Sequence, residues 1–204
     1  MPLAVLLAVA ACFSAGCGSS SATKIEGPTT TSQSASGFAG AALQPPRPAQ
    51  PIALRDADGH AVTLAAERGR YVLVTFLYTH CPDVCPLIAG NLNAALRALG
   101  PARNRVSVLA VSVDPAGDTA AAVRAYSTRM HLLPQFRYLI GSRAELRRVW
   151  LAWHVLSVQR KPDLVDHVAY TALIDPAGKQ RVLYGSGVKA WQVVHDVRHL
   201  MRTA

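Results

Sequence analysis

Apolar and polar positions alternate with two different periods along this chain, and the switches between them mark its elements. Ile52-Ala53-Leu54 and Val62-Thr63-Leu64 flank the turn-rich stretch Asp56 to Gly59, which predicts a small hairpin. Tyr71 to Tyr78 is an unbroken β-branched and aromatic run, the pattern of a central strand buried on both faces. Leu87, Ile88, Leu92, Ala95, Leu96 and Leu99 follow at helical spacing, and Gly100-Pro101 stops that helix. Val106 to Val113 predicts a second buried strand, ended by Asp114-Pro115, and Thr119 to Met130 a helix capped by Asp118 or Thr119. Phe136 to Ile140 is a third strand. Ser142 with Glu145 three residues on is a capping box that opens a helix through about Trp153. Ala169 to Ile174 and Arg181 to Tyr184 predict a hairpin around Asp175 to Gly178, and Val188 to Arg202 closes as an amphipathic helix. Strands and helices in this order make an α/β sheet covered by helices, and the order matches a thioredoxin-like fold with an extra amino-terminal β-hairpin.

Before residue 51 the pattern is different. Leu3 to Phe13 is apolar throughout, the length of a secretory core and short of the roughly 20 residues that span a bilayer. Ser14-Ala15-Gly16-Cys17 resembles a bacterial lipobox, in which the cysteine is lipidated; Val9-Ala10-Ala11-Cys12 fits less well because the apolar segment before it is very short. No Lys or Arg precedes the apolar run, a departure from the usual signal. Residues 1–17 are therefore expected to be a lipoprotein-type signal. Residues 18–50, made mostly of Ser, Thr, Ala, Gly, Gln and Pro, are expected to be a flexible tether, and residues 51–204 the folded domain. The expected location is outside the cell, on the outer face of the bacterial cytoplasmic membrane.

Composition narrows the function. Half of the 204 residues are hydrophobic and 16% are charged, enough apolar surface for one core. The formal charge is +9, and arginine outnumbers lysine 17 to 4. Those arginines are scattered from Arg47 to Arg202 with no basic stripe and 6% aromatics, which argues against a nucleic-acid partner.

The candidate chemistry lies in Thr79-His80-Cys81-Pro82-Asp83-Val84-Cys85-Pro86, directly after the central strand, where α/β folds place their sites. Each cysteine precedes a proline, so helical backbone is disfavoured at both, and regular helix is expected from about Pro86. Two thiols four apart in such a turn can close a disulfide, act as a redox pair, or present two sulfurs to one metal. A structural disulfide gains little from closing so short a loop. A mononuclear metal site recruits a third ligand, and seven histidines are available. His60 sits in a hairpin turn, His131 and His154 at helix ends, and His195 and His199 lie four apart on the last helix without an evident third donor. His80 points away from Cys81 in an extended chain. His167 stands at the start of the last hairpin, on the same sheet edge as the cysteines. With two thiolates it makes a Cys₂His set suited to copper in either oxidation state, with Asp166 available to orient it.

Three ordered motifs resemble the Sco/SenC family: Y-T-H-C-P-D-V-C-P at Tyr78 to Pro86, V-S-V-D-P-A-G-D-T at Val111 to Thr119, and Asp166-His167 with L-I-D-P-A-G at Leu173 to Gly178. That family comprises exported, membrane-anchored, thioredoxin-fold copper proteins that support cytochrome c oxidase assembly. The resemblance spans roughly residues 51 to 202 and implies copper ligation by Cys81, Cys85 and His167. It implies a metallochaperone whose partner is the copper-bearing oxidase subunit or another copper chaperone. Two departures stand out: a short segment between Trp153 and Asp166, and Val168 where a small polar residue often follows the histidine. The competing expectation is a thiol-disulfide oxidoreductase that reduces cysteines of the oxidase subunit or of other exported proteins, with Cys81 and Cys85 as its redox pair. A C-x-x-x-C spacing counts against a general disulfide catalyst, and Thr79-His80-Cys81 lacks the upstream proline of a peroxidase site.

Overall fold

The sheet is built outward from β4 (Tyr71–Leu77), every residue of which is buried. In this computed structural model the described residues are 37–155, 157–161, 164–167 and 169–203, with side chains described outside 156–168. Cys12 and Cys17, the expected signal and most of the expected tether lie outside them. The described residues belong to one compact unit, Gln33–Ala204.

β4 pairs in parallel with β5 (Val106–Ser112), from Tyr71 opposite Val106 to Leu77 opposite Ser112. β5 pairs in parallel with β6 (Phe136–Ile140). On its other side β4 takes β9 (Tyr170–Ile174) antiparallel, with Thr75 opposite Thr171. β10 (Lys179–Gly185) follows as a hairpin partner of β9. The predicted amino-terminal hairpin forms as β2 (Ala53–Asp56) and β3 (Ala61–Thr63), and β2 extends the sheet beside β6. The helices are α1 (Val84–Ala98), α2 (Ala120–Arg129), α3 (Arg143–Ala152) and α4 (Ala190–Thr203). Thr119 caps α2 by accepting the Ala122 N–H, and the Ser142–Glu145 capping box opens α3 as expected. Strands buried on both faces explain the largely apolar runs of β4 and β5, in which Thr75, Ser107 and Ser112 are the polar residues.

Three features differ from the sequence expectation. The sheet begins inside the expected tether: β1 (Ala41–Pro48) pairs antiparallel with β10, so the strand order is β1-β10-β9-β4-β5-β6-β2-β3. Its sequence, AALQPPRP, carries three prolines and hides no alternating face, because an edge strand with a register shift between Ala42 and Arg47 needs neither a full donor ladder nor a buried side. What docks it is upstream. Phe38 packs into the core, and the Ala39 and Gly40 N–H groups donate to the buried Asp196 carboxylate at 2.7 and 3.0 Å. A Cβ on Gly40 would lie 2.5 Å from the Tyr184 and Val182 side chains, so glycine allows the close approach.

The second difference is a separate two-stranded hairpin, β7 (Ser157–Lys161) and β8 (Leu164–His167), between α3 and β9. It places His167 in a strand of this extra hairpin, opposite Ser157, rather than at the start of the β9–β10 hairpin. The third is that α1 starts at Val84, which makes Cys85 helical despite the proline after it. Pro86 occupies the first turn, where a missing N–H removes a donor that has no helical partner anyway.

Candidate metal and redox site

The turn between β4 and α1 is held from both sides. The Cys81 N–H donates to the Tyr78 carbonyl at 3.4 Å, and the Asp83 carboxylate caps α1 by accepting the Val84 N–H. Helix starts leave amide donors unpaired, and here one of them finds sulfur: the Cys85 N–H donates to Cys81 Sγ at 3.4 Å. Cys81 and Cys85 are thus brought together as buried, free thiols, with Cys85 wholly enclosed and Cys81 8% exposed.

Their environments separate their acidities. A hydrogen bond from the Cys85 thiol, with help from backbone donors at Asp83 and Cys85, lowers Cys81 to about 6 against the opposing effect of burial. The same contact, together with burial and the nearby Asp118 charge, pushes Cys85 up. Cys81 is therefore the thiolate at the surface side of the pair, and Cys85 the proton-bearing partner beneath it. Asp83 lies 3.6 Å from Cys81 Sγ, where it accepts from the protonated thiol.

Beneath this turn lies a carboxylate that the sequence offers only as an alternative cap of α2, a place Thr119 takes instead. Asp118, 3% exposed, accepts from the Thr79 N–H and hydroxyl at 2.8 Å each through Oδ1, and from the Ser112 and Tyr138 hydroxyls at 2.6 and 3.1 Å through Oδ2. It ties the residue two before Cys81 to the end of β5 and the middle of β6. Burial pushes its carboxyl up from the ordinary value, opposed by these hydrogen bonds. Gly117 makes room for the arrangement: a Cβ there would fall 2.3 Å from Asp114 Oδ2 and 3.1 Å from His80 Nδ1. The signal for Asp118 was present in V-S-V-D-P-A-G-D-T, but nothing local in that segment says it reaches across to Thr79.

The histidines distribute as follows. His80 is exposed and its Nδ1 lies 3.2 Å from the Thr79 hydroxyl rather than toward sulfur. His60 and Asp58, both exposed, join the half-buried Asp56 in a group that the β2–β3 turn itself organises, Asp56 Oδ1 accepting the N–H groups of Asp58 and His60. His131 and His154 take left-handed backbone at helix ends. His195 and His199 stack with ring centres 6.3 Å apart, and His195 Nδ1 sits 2.8 Å from Asp196. The side chains of His167 and Asp166 lie outside the described ones. By backbone, His167 ends β8 three residues before Tyr170, where β9 begins alongside the carboxyl-terminal end of β4.

Comparison with known proteins matches this framework. A profile of the SCO1/SenC family aligns with residues 41–202. The "Protein SCO2 homolog, mitochondrial" of Bos taurus is 32% identical over 157 residues, 74% of this chain and 58% of that protein. The chain thus spans about three-fifths of the length of that curated relative. Among solved structures, Bradyrhizobium japonicum ScoI with copper bound has a TM-score of 0.66 at 30% identity, covering 74% of this chain and 98% of that one. The apo Sco1 protein from Thermus thermophilus has a TM-score of 0.68 at 34% identity, covering 82% and 97%. The fold, the paired thiols and a profile that begins at the unexpected first strand agree, and the chain belongs to the SCO1/SenC family.

Proposed function

We propose that this protein carries copper as cargo between the Cys81 and Cys85 sulfurs and the His167 imidazole, and passes it to the copper-bearing subunit of cytochrome c oxidase or to another copper chaperone. The observation that carries the reading is the pair of adjacent reduced thiols, Cys81 poised as thiolate chiefly by a hydrogen bond from the Cys85 thiol, with amides at the start of α1 adding to it. Soft thiolates suit Cu(I), and a neutral imidazole extends the set to Cu(II), so the donors fit the metal. The relatives solved with copper bound support the same cargo. Cu(I) moves by exchange of thiolates between donor and acceptor, with His167 leaving first because it is neutral and reached from a separate hairpin. The protein works on the outer face of the bacterial cytoplasmic membrane, held there by a lipid on Cys17, with Cys12 the alternative.

A second reading is favoured by the unequal acidities of the two thiols. Cys81 thiolate attacks a partner disulfide, forming a mixed disulfide and releasing one partner thiolate. Cys85 then surrenders its proton and attacks Cys81 sulfur, so that a Cys81–Cys85 disulfide forms as the second partner thiol leaves, two electrons having passed to the partner.

Copper titration of the reduced protein tests the ligand set. His167→Ala is expected to weaken Cu(II) binding and shift the thiolate-to-copper absorption, while Cu(I) binding by the thiols persists. Unchanged affinity and spectrum for both oxidation states overturn the three-donor site. Copper-free reduction of an oxidised oxidase-subunit peptide at full rate makes the reductase reading the leading one.

A further inference from the structure

The outer side of α4 carries a stripe that neither the copper site nor the core uses. Trp191, His195, Arg198 and Arg202 recur at helical spacing and are all exposed, Trp191 by 64%, while Val193, Asp196, Val197 and Leu200 face inward. Arg198 donates to the Ala98 carbonyl at 3.2 Å, which joins the stripe to the carboxyl-terminal end of α1, where Arg97 is also exposed. The charge around it is of one sign. From residue 84 to 113 and from 176 to 204 the only side-chain carboxylate is Asp196, and that one is fully buried. A tryptophan among cations on an amphipathic helix is the composition of an interfacial surface: the indole sits at headgroup level and guanidinium groups meet phosphates.

The described chain also starts at the same place. The described residues begin at Gly37, where Phe38 stands edge-on to His199 with ring centres 4.7 Å apart, and His199 stacks on His195 of the stripe. The segment that precedes residue 37 therefore joins the described fold beside α4. We propose that the exposed face of α4 docks on an anionic phospholipid surface, Trp191 at the headgroup level and Arg198 and Arg202 on phosphates. For the presence of a bilayer this rests on the membrane-anchored reading above. The thiols are left free to meet a partner, since Cys85 and Ala98 lie at opposite ends of α1, about 20 Å apart at helical rise.

The test uses the full chain with vesicles of phosphatidylcholine carrying brominated acyl chains, with and without phosphatidylglycerol. Trp150 and Trp153 are buried, at 6% and 3%, so bromine quenching reports Trp191, and Trp191→Phe verifies the assignment. Expected is quenching that requires phosphatidylglycerol, is lost in high salt, and falls on the order of 10-fold in apparent affinity for Arg198→Glu/Arg202→Glu. Arg147→Glu/Arg148→Glu, on the exposed side of α3, should leave it unchanged; an equal loss there would reduce the effect to net charge and overturn the proposal. Flotation with both vesicles but no quenching keeps the anchored reading and overturns the α4 surface, pointing instead to an acidic protein as its partner. Binding to anionic vesicles alone, with quenching, keeps the α4 surface and overturns the anchor.

Discussion

Asp118, in the loop before α2, and Asp196, on α4, are the same device serving two regions of the molecule. Each is a buried carboxylate that accepts two hydrogen bonds from a distant segment and at least one from a tyrosine hydroxyl, Tyr138 for Asp118 and Tyr184 for Asp196. Asp118 collects Thr79 and so holds the turn that presents Cys81 and Cys85. Asp196 collects Ala39 and Gly40 and so holds the start of the first strand against α4. The difference lies in what each clamp restrains. Thr79 sits between a buried strand and a helix, whereas residues 37–48 lie at the sheet edge, paired on one side with β10 and packed into the core at Phe38. Asp118 should therefore act on the geometry of chemistry and on stability together, and Asp196 on docking of a terminus.

Asp118→Ala has the largest expected effect. It leaves three hydroxyls and one amide with no carboxylate, and a loss of about 3–5 kcal/mol in a denaturant titration is expected. Cys81 should also become a poorer nucleophile at neutral pH, which alkylation mass spectrometry measures. Asp196→Ala should cost about 2–3 kcal/mol and open residues 37–48 to protease, with Cys81 alkylation unaltered. Equal losses of Cys81 reactivity in both variants would erase the division between the clamps.

A finer comparison is by pH. Because burial raises the Asp118 carboxyl in the folded protein, the native state holds the proton that the unfolded state releases. Its contribution is full below the ordinary carboxylate value of 3.8 and is lost as pH climbs through the raised one. Relative to Asp118→Asn, the wild-type protein should thus lose stability as pH rises across that window. Should the difference have the opposite sign, the four hydrogen bonds outweigh burial. The smallest perturbation is of the thiols themselves: alkylation of the reduced, copper-free protein should rise with a midpoint at about pH 6 at Cys81 and leave Cys85 unmodified. Equal modification of the two would remove the asymmetry on which the reductase reading depends.

Much of this architecture was legible in the sequence wherever a local cause sufficed. Tyr71 to Leu77 reads as a central strand because nothing in it tolerates water, and Ser142 with Glu145 caps α3 with atoms three residues apart. The thiol pair could be named from spacing, and α1 was misjudged only at its first turn, where the proline rule yields because first-turn amides have no helical partner. β1 was illegible because an edge strand of prolines shows no alternation, and the β7–β8 hairpin because its apolar positions, in Ser157–Lys161 and Leu164–His167, are too few to set a period.

The sequence alone therefore determined the order of buried strands and helices, the helix caps and the two cysteines, all of which depend on residues within a turn or two of one another. The tertiary structure decided which thiol carries the charge, where the sheet begins, and which carboxylates hold the ends of distant segments. Those outcomes follow from burial and from hydrogen bonds 39 residues apart at Thr79–Asp118 and 157 apart at Ala39–Asp196, which only the closing of the sheet brings within reach.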